Sequence, residues 1–249
     1  MAAGLSLQTP LLTDSNTTLS LLLGTAGALA TLHTLIGVDH SIPFIAIGRA
    51  RGWSFRRTLG VTGLCGLVHV ASSVVIGLIG VLLGVALDWL SWLESVRGQV
   101  ASTLLIGFGL AYASWAVWNG MRGRGHVHLH EHADGIVPRH QHHHYGEHLH
   151  SHNQERGLTP WALFIIFAFG PCEALIPLMM VPALNQSWFQ LVGVVVVFGF
   201  LTVTTMMVTV ALGFLGLSRV RLRGLEQRLD VLAGLTVAAS GVAVLLLGL

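Results

Sequence analysis

The sequence predicts an all-α polytopic membrane protein with six transmembrane helices, arranged as two inverted repeats of three helices. Three observations support this fold: the composition, the length of the apolar runs, and two pairs of similar motifs. Of the 249 residues, 53% are hydrophobic and only 10% are charged, whereas a soluble domain carries about 25% charged residues. Crossing a bilayer takes roughly 18 or more apolar residues, and six runs qualify. The predicted spans are approximately 17–40, 59–86, 99–119, 159–184, 188–216 and 229–248.

The spans divide the chain into two membrane halves joined by a long polar loop. The predicted parts are an N-terminal three-helix half at 1–119, a histidine-rich loop at 120–158 and a C-terminal three-helix half at 159–249. Because each half has an odd number of spans, the second half would cross the membrane in the opposite direction to the first. This inverted plan is common among transporters.

Short similarities between the halves favour a repeat. The segment "GVDHSIPF" at 37–44 resembles "GPCEALIPL" at 170–178 with one inserted residue, and "GLVHVASS" at 66–73 resembles "GFLTVTTM" at 199–206. The alignment pairs Gly37 with Gly170, Asp39 with Cys172, His40 with Glu173, Pro43 with Pro177, and His69 with Thr202. Proline within a helix removes a backbone hydrogen bond, so we expect broken helices at these corresponding positions.

The arginines predict the orientation. All thirteen basic residues are Arg, and twelve of them form three groups of four in the loops after spans one, three and five. Only Arg97 lies in another connection. Cytoplasmic loops collect basic residues, which predicts a multi-pass protein of the inner (cytoplasmic) membrane with both termini outside and the histidine-rich loop inside. The N-terminal segment lacks a basic region and a cleavage site, so no removable signal peptide is expected.

A small set of polar side chains lies within the predicted spans, where such groups are costly unless they are paired or functional. The set consists of His33, Asp39, His40, His69, Cys172 and Glu173. Imidazole and carboxylate groups together suit borderline divalent metals, so we predict that these six residues are metal ligands. Asp88 and Glu94 are expected to be solvated at the outer edge of the membrane. The buried set then contains two carboxylates and no arginine.

The spacing of the first two histidines limits how they can bind an ion. On a continuous helix, His33 and His40 share a face but lie roughly 10 Å apart along the axis. One metal cannot bridge them with bonds of about 2 Å. The spacing therefore favours two successive positions on an ion path, unless the helix breaks between the two residues.

The loop at 120–158 contains eleven of the fourteen histidines. Histidine-rich tracts bind metal through neutral imidazole near pH 7, although a flexible, pH-titrating spacer is the alternative. The predicted loop ligands are His126, His128, His130, His132, His140, His142, His143, His144, His148, His150 and His152.

Taken together, these motifs resemble those of the nickel/cobalt transporter superfamily, in its UreH-like and NicO-type branches. The resemblance lies in the pattern His33-x5-Asp39-His40, in His69 of the following span, and in the internal histidine-rich loop. The segment "FGPCEALIP" departs from several versions of the second motif of that family. The resemblance implies transport of divalent transition metal ions, with nickel or cobalt as the expected substrates and export slightly favoured over import. No cofactor other than the transported ion is implied, and no enzymatic activity.

Three alternatives remain open. Exporters of sulfite or organosulfur anions share this architecture, but two buried carboxylates without a buried Arg disfavour an anion. Thiol-disulfide electron carriers of the CcdA type have similar proline-cysteine motifs, but need a second cysteine where this chain has Asp39. A membrane hydrolase could use the same ligands to hold zinc. The expected partners are the lipid bilayer and divalent metal ions, without nucleic acid, and a homo-oligomer is compatible with the sequence.

Overall fold

The computed structural model describes residues 15–121, 158–172, 174–218 and 228–247, and their regular secondary structure is entirely helical. The α-helices in these ranges are α1 (Ser15–Ile36), α2 (Ile42–Ala50), α3 (Phe55–Leu83), α4 (Leu87–Met121), α5 (Leu158–Phe169), α6 (Leu175–Leu184), α7 (Trp188–Ser218) and α8 (Leu229–Leu247). Five of them, α1, α3, α4, α7 and α8, contain stretches long and apolar enough to cross a membrane. The prediction of a polytopic helical membrane protein is confirmed at this level.

The predicted first span is not one helix. Helix α1 ends at Ile36, Gly37 has extended backbone (φ −66°, ψ 100°), and a single 3-10 turn covers Val38–His40 before α2 begins. Pro43 lies in the first turn of α2, where its missing N–H would have had no partner within the helix. The chain therefore breaks between His33 and His40.

The predicted fourth span is also broken. Its two short helices, α5 with 12 residues and α6 with 10, are separated by the segment that contains Gly170 and Pro171. The amide of Gly170 still donates to the carbonyl of Ile166 at 3.0 Å, but Pro171 has no N–H with which to continue the ladder. Both prolyl segments of the predicted repeat thus coincide with breaks. The inverted repeat and the count of six spans stay predictions.

The third span begins earlier than the sequence predicted. Helix α3 ends at Leu83, Gly84 closes it in the left-handed conformation (φ 64°), and α4 starts at Leu87 rather than near residue 99. Glu94 and Arg97 are therefore helical, and their side chains are buried, with exposures of 1% and 8%. The expectation that Glu94 is solvated, and that no Arg is buried, is wrong.

The long helices of the two halves pack against each other in corresponding pairs, α3 with α7 and α4 with α8. The backbones of α4 and α8 approach closely, because a Cβ on Gly109 would lie 2.4 Å from the backbone nitrogen of Ala238. Similarly, a Cβ on Gly234 would lie 2.6 Å from the backbone nitrogen of Ala113. Small residues permit this approach between helices. Helices α1 and α5 occupy corresponding places, α1 against α7 and α5 against α3.

At one end of the bundle, contacts of Arg51 connect several helices. Its guanidinium lies 5.2 Å from the centre of the Tyr112 ring and 4.9 Å from that of Trp115, and it donates to Thr159 Oγ1 at 3.2 Å. The Tyr112 hydroxyl donates to the carboxylate of Asp230. These contacts bring together the end of α2, the last third of α4 and the beginnings of α5 and α8.

Candidate ion-binding site

Three histidines converge at the break between α1 and α2. One ring nitrogen from each of His33, His40 and His69 lies within 4.8 Å of the other two. His40 Nε2 and His69 Nε2 are 3.4 Å apart, and the centre of the His40 ring is 4.9 Å from that of His33 and 5.0 Å from that of His69. The continuous helix on which two successive ion positions were favoured is not present, because the chain breaks between His33 and His40 and their rings lie together.

Glycine makes room for two of the rings. A Cβ on Gly37 would lie 2.3 Å from His40 Nδ1, and a Cβ on Gly170 would lie 2.9 Å from His69 Nδ1. Contacts shorter than 3.0 Å would force a shift of the ring or of the backbone. These two glycines occupy the positions that the sequence alignment paired with each other. Each break therefore places bare backbone against an imidazole.

Asp39 acts on the cluster through His40. His40 Nδ1 donates to Asp39 Oδ1 at 3.0 Å, and this bond leaves Nε2, which faces His69, able to offer its lone pair. A carboxylate on the far nitrogen of a histidine fixes the tautomer and raises the basicity of a metal ligand. The carboxylate of Asp39 is not part of the three-histidine group itself. The structure thus places the Asp39 carboxylate against His40 Nδ1, the ring nitrogen other than the one that faces His69.

The cluster contains buried nitrogen atoms without hydrogen-bond partners, namely His33 Nε2 and His69 Nδ1. Leaving such an atom unpaired costs free energy, which a ligand of the cluster could offset. The histidines and Asp39 line a cavity of about 20 Å³, large enough for about one water molecule or a single ion. His69 is the central residue of α3.

The geometry suits a transition metal. Two nitrogens bound at 2.0–2.1 Å in a tetrahedral arrangement lie about 3.3–3.4 Å apart, close to the 3.4 Å between His40 Nε2 and His69 Nε2. Because the three nitrogens lie within 4.8 Å of one another, completing such a site requires the remaining imidazole to approach by at most about 1.4 Å. Imidazole is a good ligand for zinc, copper, iron and nickel.

The structure does not bring Cys172 to the histidines. Its side chain is fully buried in an apolar cluster with Val70, Leu175 and Met179. Its backbone amide donates to Ser73 Oγ at 3.0 Å and to a carboxylate oxygen of the buried Glu94 at 3.1 Å. The other predicted ligands, Glu173 and the eleven loop histidines from His126 to His152, lie outside the described residues.

A buried ion pair next to the cavity was missed by the sequence analysis. Arg97 and Glu94 form a salt bridge one turn apart on α4, and Arg97 also donates to Ser72 Oγ at 2.6 Å and to Ser73 Oγ at 3.2 Å. Ser73 Oγ in turn donates to Glu94 at 3.0 Å. The signal in the sequence was the i, i+3 spacing of opposite charges on a helix, which was obscured by starting the third span at residue 99.

Comparison with known proteins gives no relative for this arrangement. No family model matches the chain, and no curated protein or solved structure matches it. The candidate site therefore has to be interpreted from its own chemistry.

Proposed function

We propose that this protein transports divalent transition metal ions, with nickel or cobalt as the favoured substrates, across the cytoplasmic membrane. The observation that carries the proposal is the convergence of His33, His40 and His69 on a cavity the size of one ion, at a break in a membrane helix. Broken helices near the middle of the membrane are typical positions for transported substrates. The proposal agrees with the resemblance to the nickel/cobalt transporter superfamily.

The charges in the site favour a metal cation. Three neutral imidazoles supply ligands of intermediate softness, and Asp39, hydrogen-bonded to His40, supplies one negative charge close to the ion. That charge offsets part of the charge of a dication. An alkali ion would be held poorly, because it prefers oxygen ligands.

The proposed topology follows from the arginines and the two breaks. If α5 and α6 together form one broken span, the chain crosses the membrane six times, and the two halves have opposite orientations. The end of the bundle that carries Arg51 faces the cytoplasm under the positive-inside rule, which also places the histidine-rich loop at 120–158 inside and both termini outside. A cytoplasmic loop that collects metal would supply the site from inside, which favours export slightly over import.

The same contacts weigh against two of the alternatives, the anion exporter and the thiol-disulfide electron carrier. Arg97 is the charge that could attract a sulfite-like anion, but its guanidinium is already engaged by Glu94, Ser72 and Ser73. Electron transfer would require the two cysteines to meet, and Cys65 and Cys172 belong to separate apolar clusters. Neither alternative uses the three histidines.

Flux of radioactive nickel in proteoliposomes tests the proposal. The wild-type protein is compared with His40→Ala and His69→Ala, and with Thr236→Ala on the exposed face of α8 as a control for reconstitution. We expect flux that saturates with nickel or cobalt in the wild type and the control, and a loss of at least tenfold in both histidine variants. Equal flux in all four proteins, for nickel, cobalt and zinc alike, would contradict the proposal.

A further inference from the structure

The buried ion pair on α4 contacts both ends of the break between α5 and α6. Arg97 donates to the carbonyls of Ala168 and Gly170, each at 3.2 Å, where α5 ends. Glu94 accepts from the amide of Cys172 at 3.1 Å, just before α6 begins. The carboxyl end of a helix carries partial negative charge and the amino end partial positive charge. Arg97 therefore faces a helix end of opposite sign, and Glu94 accepts from an amide within the break.

The same ion pair is connected to the proposed ion ligand on α3. Ser72 and Ser73, which hydrogen-bond to Arg97, follow His69 by three and four residues, so they lie one turn away on the same side of the helix. Ser72 Oγ also donates to the carbonyl of His69 at 2.8 Å. Gly170, whose carbonyl Arg97 holds, packs directly on the His69 ring. Arg97 is thus connected to His69 in two ways. It bonds Ser72, which binds the His69 carbonyl, and it bonds Gly170, which lies against the His69 ring.

We propose that Arg97, held in place by Glu94, is a positioning residue for the ion site. It fixes the backbone of Gly170 against the His69 ring, so that Nε2 of His69 points at His40 and its lone pair is available to the ion. The inference rests on the proposed function, because the ion is what the positioned nitrogen binds. Arg97 itself does not contact the ion.

The proposal also assigns the two breaks different roles. At the break between α1 and α2, the chain presents His33 and His40 to the cavity. At the break between α5 and α6, the carbonyl end of α5 and the amide of Cys172 are already bonded by Arg97 and Glu94. The ion would then be bound by the first break and by His69.

Stability alone does not account for this ion pair. Desolvation of two buried charges can cost as much as their attraction returns, and apolar side chains of similar size are often as stabilising. A positioning role predicts something different, namely that an uncharged replacement leaves the protein folded but weakens the ion site. The two effects can be measured separately.

The test uses cobalt(II) titrated into the full-length protein in detergent and followed by visible absorption. Four-coordinate cobalt absorbs much more strongly than six-coordinate cobalt, so the spectrum reports both affinity and geometry. Each protein is measured against the same protein carrying His69→Ala, which retains the histidine-rich loop, and the difference isolates the site. The variants are the double substitution Glu94→Gln with Arg97→Met, the milder Ser72→Ala, and Arg51→Met as a matched control.

We expect the double variant to bind cobalt at the site at least tenfold more weakly, the usual effect of losing an outer-shell partner of a metal ligand, and to lose the intense four-coordinate bands. Ser72→Ala should shift the affinity in the same direction by a smaller factor. Arg51→Met removes an arginine that contacts Tyr112, Trp115 and Thr159, so it should lower the melting temperature without changing the spectrum or the affinity.

Wild-type affinity and spectrum in a folded double variant would overturn the positioning role while leaving the metal site intact. If the double variant does not fold, Ser72→Ala decides the matter, and an unchanged affinity in that variant would also overturn it. Identical spectra for the wild type and His69→Ala would instead overturn the proposed function, and the positioning role with it.

Discussion

The substitution Gly37→Ala offers a sharp test of the three-histidine site, because the atoms nearest to the added methyl group belong to His40 and Asp39. The backbone of Gly37 (φ −66°, ψ 100°) is accessible to alanine, so the effect comes from the side chain alone. The new Cβ would lie 2.3 Å from His40 Nδ1 and 3.0 Å from Asp39 Oδ1. Relief of the first contact to about 3.4 Å requires the ring to move by about 1.1 Å.

That movement would disrupt the hydrogen bond between His40 and Asp39. The bond from His40 Nδ1 to Asp39 is 3.0 Å long, and a displacement of this size takes it outside the usual range of 2.7–3.2 Å. Loss of such an outer-shell partner lowers metal affinity by about 10–100-fold, or about 1.4–2.7 kcal/mol. The Nε2 atom of His40 also leaves its position opposite His69, so the upper part of this range is expected.

Calorimetric titration of nickel into the full-length protein in detergent measures the effect, with the binding that persists in His69→Ala subtracted as the contribution of the loop. Gly24→Ala is the matched control on α1, because a Cβ there would have no neighbour within 4 Å. Alanine in a helix interior stabilises by about 0.5–1 kcal/mol relative to glycine, so the control should melt slightly higher and bind nickel as the wild type does. Unchanged nickel affinity in Gly37→Ala would refute the geometry described for His40.

Three further predictions concern the stability of the bundle, measured by thermal unfolding in detergent. Gly109→Ala should lower the free energy of unfolding by about 1–3 kcal/mol, since the new Cβ meets the backbone of α8 at 2.4 Å, whereas Gly107→Ala, which meets nothing within 4 Å, should not. Arg51→Ala should cost more than Arg57→Ala, because Arg51 contacts two aromatic rings and a hydroxyl while Arg57 lies over one ring. Tyr112→Phe should cost about 1.5–3 kcal/mol by removing the donor to a carboxylate, and an unchanged melting temperature would contradict that contact.

Hydropathy located the membrane helices but misplaced the start of α4. The prediction began the third span near residue 99 because Glu94 and Arg97 lower the average hydropathy of the preceding segment. A hydropathy average cannot register that the two charges neutralise each other at i, i+3 and bind polar groups from other helices. Their burial depends on contacts with Ser72 and with carbonyl groups about seventy residues away, and no local property of the sequence contains that information.

The sequence named the three histidines that lie together, along with residues that do not join them, and it did not predict their geometry. The spacing of His33 and His40 suggested two ion positions because the calculation assumed a straight helix. The two rings lie together because of the extended backbone at Gly37 and the 3-10 turn that follows it. Proline at residue 43 indicated a break nearby, but not which side of His40 it would fall on. That difference decides whether the two imidazoles meet.

At each of the two breaks a glycine lies against a histidine ring, but the groups that bond to the two breaks are different. Gly37 and Gly170 each place bare backbone against a histidine ring. Behind His69 the backbone of Gly170 is held by the guanidinium of Arg97, and His40 is held by its hydrogen bond to Asp39. His33 Nε2 and His69 Nδ1 both lack a hydrogen-bond partner, but the His69 ring is also confined by Gly170. We expect His33 to supply the approach of about 1.4 Å that completes a tetrahedral site, with His40 and His69 forming its preorganised part. His33→Ala should then reduce nickel affinity less than His40→Ala in the same calorimetric titration, and the reverse order would contradict this division of roles.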